Sequence, residues 1–490
     1  MSSTRAVAVL CLITTFYFTP TIFPEEVLAQ ESTSAQRGLN AQEVRLLAME
    51  QNPDLEGFRI ELQRAELLLE REETTRVPTF VADGSYRFGQ TPFLSPDGTR
   101  LIDSSSLSFG TRLFHTFAYG TQLGISANLG RAARDSVELG ELGIAWDTRL
   151  GVDVAQPLLR GFGPEIVDAN IRSAQESLDA ATLQERSRAS AVLREVLSSY
   201  WDLWMAQQAL EIQEEALSIA ERNLTNAEIR LQAGTISRAD IISLRAEVSS
   251  ARERVMAAQS RIRQESTTLG QQLGLRTGEA LVATEQALPA PRLLSYDEAL
   301  MAYKEYSPEY QRQLSTIRST RIQAQLAHDN SRPRLDATGA FFIDGLDRGP
   351  GDAFVQMARV EGWVASLGLR LELPINNRSR LAEAERADLA ISAAESELRR
   401  LESAEAARIS NLIEEISAAQ SRVELAQEAA DLARESVDAQ TARYEAGRAT
   451  TFEVIDAIYR LEEAQLRVLE IEASILQQIL NLEHITGLLL

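Results

Sequence analysis

Cysteine is almost absent from the 490 residues: the only one is Cys11. It sits in an apolar run, Ala6 to Phe18, that follows Arg5 and precedes Val27-Leu-Ala29 and Gln30. That order reads as an export signal over residues 1–29. A signal anchor is the rival, but the run is short for a membrane span. Without this segment the chain has no thiol, which excludes disulfides, thiol catalysis and cysteine-ligated metal. Lysine is equally scarce, Lys304 alone, so nearly all positive charge is arginine. The net charge of −22 and pI near 4.8 argue against a nucleic-acid partner. The three histidines, His115, His328 and His484, lie far apart in sequence with no carboxylate at ligand spacing, so no metal site is expected. No segment after the signal has a long uncharged apolar run, so any membrane crossing would have to be made by strands. Nucleophile elbow, P-loop and zinc motifs are missing as well. Gly161-Phe-Gly163 follows a strand pattern and opens a helix, but Ile166 stands where a dinucleotide site needs its third glycine. It reads as a strand-to-helix turn. Catalytic residues and a cofactor are therefore not expected.

What is present is a stretch that occurs twice. Leu231-Gln-Ala-Gly-Thr-Ile-Ser-Arg-Ala-Asp-Ile-Ile242 is echoed by Tyr444-Glu-Ala-Gly-Arg-Ala-Thr-Thr-Phe-Glu-Val-Ile455. Gly234 and Gly447 can take the positive φ that ends a helix. Ser237, and Thr450 or Thr451, can then cap the next one. Heptads flank both turns. Val196, Leu203, Leu210, Leu217, Leu224 and Leu231 lead to the first; Ile409, Ile416, Val423, Ala430, Val437 and Tyr444 lead to the second. Alanines such as Ala220, Ala227, Ala426 and Ala433 form a companion seam. Sustained apolar heptads predict coiled-coil packing, and small residues permit close approach. The 67 residues from Glu165 to Leu231 would span roughly 100 Å at about 1.5 Å per residue. A rod that long needs other helices to pack against.

The rest of the chain is duplicated too. Helical patterns at 39–76 and 294–331 break at Asn52-Pro53 and Ser307-Pro308. Alternating strands follow: Phe80, Ala82, Gly84, Tyr86 and Phe88 match Leu335, Ala337, Gly339, Phe341 and Ile343. A second pair aligns Trp146, Thr148, Leu150, Val152 and Val154 with Trp363, Ala365, Leu367, Leu369 and Leu371. Their other faces carry Asp147, Arg149 and Asp153, or Arg370 and Glu372. Apolar outside, charged inside and a Trp near one end is the pattern of a membrane barrel strand, although a soluble sandwich would also alternate. The first copy carries 38 more residues in this region. The excess holds alternating runs near Leu107–Phe117 and Leu123–Leu129, readable as a further barrel hairpin or as a folded surface loop. The predicted units are a first repeat over 39–273, with strands in 79–156 and its tip at 234, and a linker over 274–293. A second repeat covers 294–490, with strands in 334–373 and its tip at 447.

This order resembles the TolC-type outer-membrane efflux family. The resemblance rests on Asn52-Pro-Asp-Leu55, Val77-Pro78, Gln156-Pro-Leu-Leu-Arg-Gly-Phe-Gly163, Ala233-Gly-Thr-Ile-Ser-Arg-Ala-Asp240 and Tyr444 to Asp456. It implies a mixed, mainly α fold: a trimeric outer-membrane β-barrel continuous with a long periplasmic α-helical coiled-coil barrel, built by internal duplication. It further implies a homotrimer in outer-membrane lipid and no enzymatic activity. Substrates would pass through it from an inner-membrane pump joined by a periplasmic adaptor (membrane fusion) protein, as in tripartite efflux or type I secretion. A secreted or periplasmic coiled-coil scaffold without a pore is the alternative of another class.

The resemblance also implies site residues. The family's tunnel narrows where the hairpin helices converge, and the matching positions are Asp240, Tyr444, Glu453 and Asp456. Asp240 and Glu453 would serve equally as helix N-terminal carboxylates favoured by the dipole. One member of the family carries an arginine in the second tip at the position Ala449 holds here, and Arg448 or Arg238 are the candidates to replace it. The tips, Gly234, Thr235, Ile236, Gly447, Arg448 and Ala449, are the expected adaptor-docking residues.

Overall fold

A computed structural model describes residues 37–95, 98–135, 142–234, 236–275, 279–285, 287–288 and 294–490. The proposed signal segment 1–29 and Thr235 lie outside the described residues. The described residues open with β1 (Arg37–Leu39), α1 (Ala41–Gln51) and α2 (Pro53–Thr74). Four strands follow: β2 (Thr79–Ser95), β3 (Gly98–Thr116), β4 (Gln122–Asp135) and β5 (Leu142–Pro157). Next come the single turn α3 (Pro164–Val167), α4 (Ala169–Gln232), α5 (Arg238–Gln272) and β6 (Leu281–Ala283). The second half runs α6 (Tyr296–Tyr306), α7 (Pro308–Ser331), β7 (Arg334–Asp347), α8 (Pro350–Ala358), β8 (Gly362–Glu372), α9 (Arg378–Glu445) and α10 (Thr451–Thr486).

The helix breaks follow from local chemistry. Asn52 ends α1 and caps α2, accepting from the Asp54 N–H at 2.9 Å, while Pro53 takes the first helical position. Ser307 and Pro308 do the same between α6 and α7, without a side-chain cap bond. Gly163 (φ +99) turns the chain out of β5, and the long helix expected from Glu165 is interrupted at Asp168. At 64 residues, α4 is about 95 Å long, and α9 with 68 residues is slightly longer. Both heptad seams are buried or half-buried, with Leu203, Ala220, Ala227, Ile409, Ile416 and Val437 buried.

Six strands form one antiparallel sheet in the order β2-β3-β4-β5-β7-β8. The two runs of the first copy's excess are therefore β3 and β4, ladder strands and not a surface loop. Their alternation matches their neighbours: Phe109 of β3 faces Gly84 and Leu129, and Leu113 faces Phe80 and Ile125. One sheet face exposes Phe80, Tyr86, Phe88, Phe109, Leu113, Ile125, Leu150, Phe341, Trp363, Leu367 and Leu369. Leu367 is 95% exposed, which water would penalise and a lipid tail would not. The opposite face is mainly polar and is laced by Arg112–Asp153 (2.9 Å) and Arg149–Asp344 (2.6 Å). Among the described residues, no helix is long and apolar enough to cross a membrane.

Midway along the helices a belt holds both halves together. Tyr200, Trp201 and Trp204 of α4 pack with Leu39, Leu281, Leu476 and Leu480. β1 and β6 pair in parallel there, and the Tyr200 hydroxyl donates to the Leu39 carbonyl at 3.2 Å and to the Glu285 carboxylate. Burial first, then the Glu285 carboxylate, pushes that hydroxyl's pKa well up. The segment 274–293, expected as a plain linker, thus contributes a strand. Its three residues are too few to alternate visibly, and only the partner strand β1 specifies them.

Candidate functional site

The two helical turns are built alike. Gly234 and Gly447 lie at φ +70 and +71, and a Cβ at either would meet nothing within 4 Å. Their conformation, and not crowding, requires glycine. After Gly447 the Arg448 N–H returns to the Arg443 carbonyl at 2.8 Å, closing the end of α9. Ser237 and Thr450 then start α5 and α10 with reciprocal capping boxes. Asp240 accepts from the Ser237 hydroxyl (2.7 Å) and N–H (3.1 Å). Glu453 accepts from the Thr450 N–H (2.6 Å) and hydroxyl (3.0 Å). The Ser237 hydroxyl, then its N–H, holds the Asp240 carboxyl below the usual range; the Thr450 N–H, then its hydroxyl, does the same for Glu453.

The remaining expected gate residues are not equivalent. Asp240 also accepts from Thr451 of the other hairpin at 3.4 Å, so it bridges the two tips. Asp456 pairs along its own helix with Arg460 at 2.9 Å and is half-exposed. Tyr444 is buried among Val437, Val454, Ala457 and Ala449. The arginine that reaches it is Arg230 of α4: it donates to the Tyr444 carbonyl at 2.7 Å and lies 4.8 Å from the ring centroid. Arg238 and Arg448 form no side-chain ion pair among the described residues.

Two of the expected docking residues are engaged within the chain. Ile236 packs against Ala227, Ile241 and Leu244, and Ala449 against the Tyr444 cluster. Gly234, Gly447 and Arg448 stay exposed. Beside them stand Phe452, 75% exposed, with Ile242 and Ile229 also exposed. Sequence reading missed these exposed apolar residues because they lie off the heptad seam, Ile242 one residue after Ile241 and Phe452 two before Val454.

A buried polar network between the hairpins was missed as well. Arg254 of α5 pairs with Glu247 on the same helix (3.0 Å) and with Glu462 of α10 (3.4 Å). The Tyr459 hydroxyl of α10 donates to Glu247, and Gln213 of α4 donates to Glu462 at 2.9 Å. Three helices are thus tied by groups that heptad reading assigns to a solvated face. One oxygen each of Gln213 and Glu462, and the Tyr444 hydroxyl, have no hydrogen-bond partner among the described residues. A network with unmet groups holds less firmly than a satisfied one.

The histidines are dispersed. His328 pairs with Asp388 at 2.9 Å on the surface, and His484 with Ser190 at 2.8 Å. Burial first, then Arg194 and Arg408, lowers the pKa of His484.

The family described as "Outer membrane efflux protein" matches residues 119–275 and 303–488, more than half of the chain. Among curated proteins none matches. Solved structures share the fold. The outer membrane protein VceC of Vibrio cholerae is 15% identical, with a TM-score of 0.66 over 91% of this chain and 96% of that one. The CmeC outer membrane channel of Campylobacter jejuni is 14% identical, with a TM-score of 0.63 over 91% and 85%. The open state of the MtrE outer membrane channel of Neisseria gonorrhoeae is 15% identical, with a TM-score of 0.62 over 91% and 89%. The chain belongs to the outer membrane efflux protein family, whose members are channels and not enzymes.

Proposed function

We propose that this chain forms a homotrimeric, passive outer-membrane duct. Its helices reach into the periplasm, where the tips meet an adaptor protein joined to an inner-membrane pump. The observation that carries the reading is the sheet, apolar and exposed on one face and charged on the other, joined end to end with helices about 95 Å long. Lipid suits the first face and a water-filled lumen the second. Fewer than eight strands cannot enclose an open conduit, so several copies must contribute.

The tips would form the gate. A threefold axis turns Asp240, Glu453 and Asp456 into acidic rings that favour cations. Asp240 and Glu453 also organise the caps, so their charge is partly committed to local structure. The closing bonds are the ones between hairpins: Arg230 to Tyr444, Arg254 to Glu462 and Tyr459, and Thr451 to Asp240. Opening is an outward swing of the α9–α10 hairpin that exchanges these bonds for adaptor contacts. The adaptor would take Gly234, Thr235, Gly447 and Arg448 with the neighbouring Phe452. Membrane fractionation with mass measurement of the detergent-solubilised protein tests the assembly. A trimer in the outer membrane is expected; a soluble monomer or dimer would return the pore-less scaffold.

A further inference from the structure

We infer that the membrane wall of this protein has eighteen strands, six from each of three copies, and that its seams join β2 of one copy to β8 of the next. The inference rests on the trimer proposed above and adds what the sheet says about its closure.

β2 and β8 are the two edges of the six-stranded sheet and do not pair with each other. Open edges are not tolerated in lipid, so each must find a strand outside its own chain. The alternative seam would use β4, with the β2–β3 hairpin folded outside the wall. β4 is not available: it is laddered to β3 from Ser104–Arg134 to Thr116–Gln122. Nor is the hairpin shaped for water. Phe80, Tyr86 and Phe88 on β2, with Phe109 and Leu113 on β3, continue the apolar face of Ile125, Leu150 and Phe341 in register. On the other face Asp83, Ser85 and Arg87 join the polar side. β2 leaves the helical end of the sheet and β8 returns to it, so copies placed side by side meet antiparallel, and any number of copies gives an even strand count.

The family match begins at residue 119 and contains only β4, β5, β7 and β8 of the six strands. Barrel diameter grows roughly in proportion to strand number, so eighteen strands give a lumen about 1.5 times as wide as the twelve that four per chain would supply. The membrane segment is then not the constriction, and what passes is limited by the tips.

The test uses paired cysteines on the lumenal face in a Cys11→Ser background. Ser85→Cys and Arg87→Cys on β2 are each combined with Ser366→Cys or Arg370→Cys on β8 and treated with a short bis-maleimide. Covalent dimers and trimers on denaturing gels are expected, since within one copy these strands are separated by the width of the sheet. Ser126→Cys on β4 combined with Ser366→Cys should give none. Native mass spectrometry of the same samples reports the assembly independently. Cross-linking from β4 but not β2 overturns the eighteen-stranded wall in favour of twelve. A native trimer that cross-links from neither overturns the seam and leaves the duct standing. An uncross-linked monomer overturns both.

Discussion

Arg254 of α5 lies 4.9 Å from the centroid of the Tyr459 ring on α10, and the hydroxyl of that ring bonds to Glu247, Arg254's own ion-pair partner. One cation thereby holds two carboxylates and an aromatic face across the gap between hairpins. Replacing it strands Glu247 and Glu462, which are 6% and 8% exposed. Arg254→Met should weaken this contact by about 3 kcal/mol, the lower end for a broken buried pair because Arg254 itself keeps some exposure. Hydrogen exchange should accelerate in α10 around residues 455–465 and not in the belt around Tyr200. Unchanged protection there would remove the network from the gate.

Glycine at the two turns is needed for backbone conformation alone. Gly234→Val and Gly447→Val should each cost about 1–2 kcal/mol, since a left-handed L-residue is penalised while no neighbour obstructs the side chain. Gly234→Asn and Gly447→Asn should recover most of it. Thermal unfolding separates the pair of effects; equal losses for Val and Asn would point to a contact and not to φ.

The capping carboxylates set a pH dependence. Asp240 and Glu453 have folded pKa values below their ordinary ones, so their contribution is complete above the ordinary range and is lost as pH falls through the lowered values. Amide protection, corrected for intrinsic rate, in the first turns of α5 and α10 should therefore decrease between about pH 5 and about pH 3. Asp240→Asn with Glu453→Gln should flatten that change. A decrease of equal size in the double variant would assign it to other groups.

At the far end of the molecule, α8 closes with Val360 at φ +56. Its N–H donates to the Met357 carbonyl at 3.0 Å and that of Glu361 to Gln356 at 3.3 Å, a helix ending that glycine normally makes. Val360→Gly should stabilise the β7–β8 connection by about 1 kcal/mol, partly offset by the looser unfolded chain. A lower melting temperature in this variant would mean that the valine side chain is worth more than its strain.

Much of the architecture was legible because its periodic runs are long. Heptads flanking Gly234 and Gly447, and two-residue alternation around Trp146 and Trp363, each repeat often enough to name a helix or a strand. The β3–β4 excess was visible as alternation, but pairing is a tertiary property, and only the ladders to β2 and β5 decide between wall and loop. The short pair β1–β6 has no period to read. At the site, Gly234, Gly447, Ser237 and Thr450 were readable from turn chemistry. Arg254, Glu247 and Glu462 were not, since a charged residue beside a heptad seam looks solvated until another hairpin covers it.

Planar-bilayer recording of the purified protein is the most direct test of a passive duct closed at its tips. Reconstituted wild type should show small, ohmic, cation-preferring steps, and Arg254→Met combined with Arg230→Met should raise the unitary conductance several-fold. Asp240→Asn, Glu453→Gln and Asp456→Asn together should weaken the cation preference. Vesicles that hold the trimer yet show no conductance, for wild type and unlocked variant alike, would contradict the account.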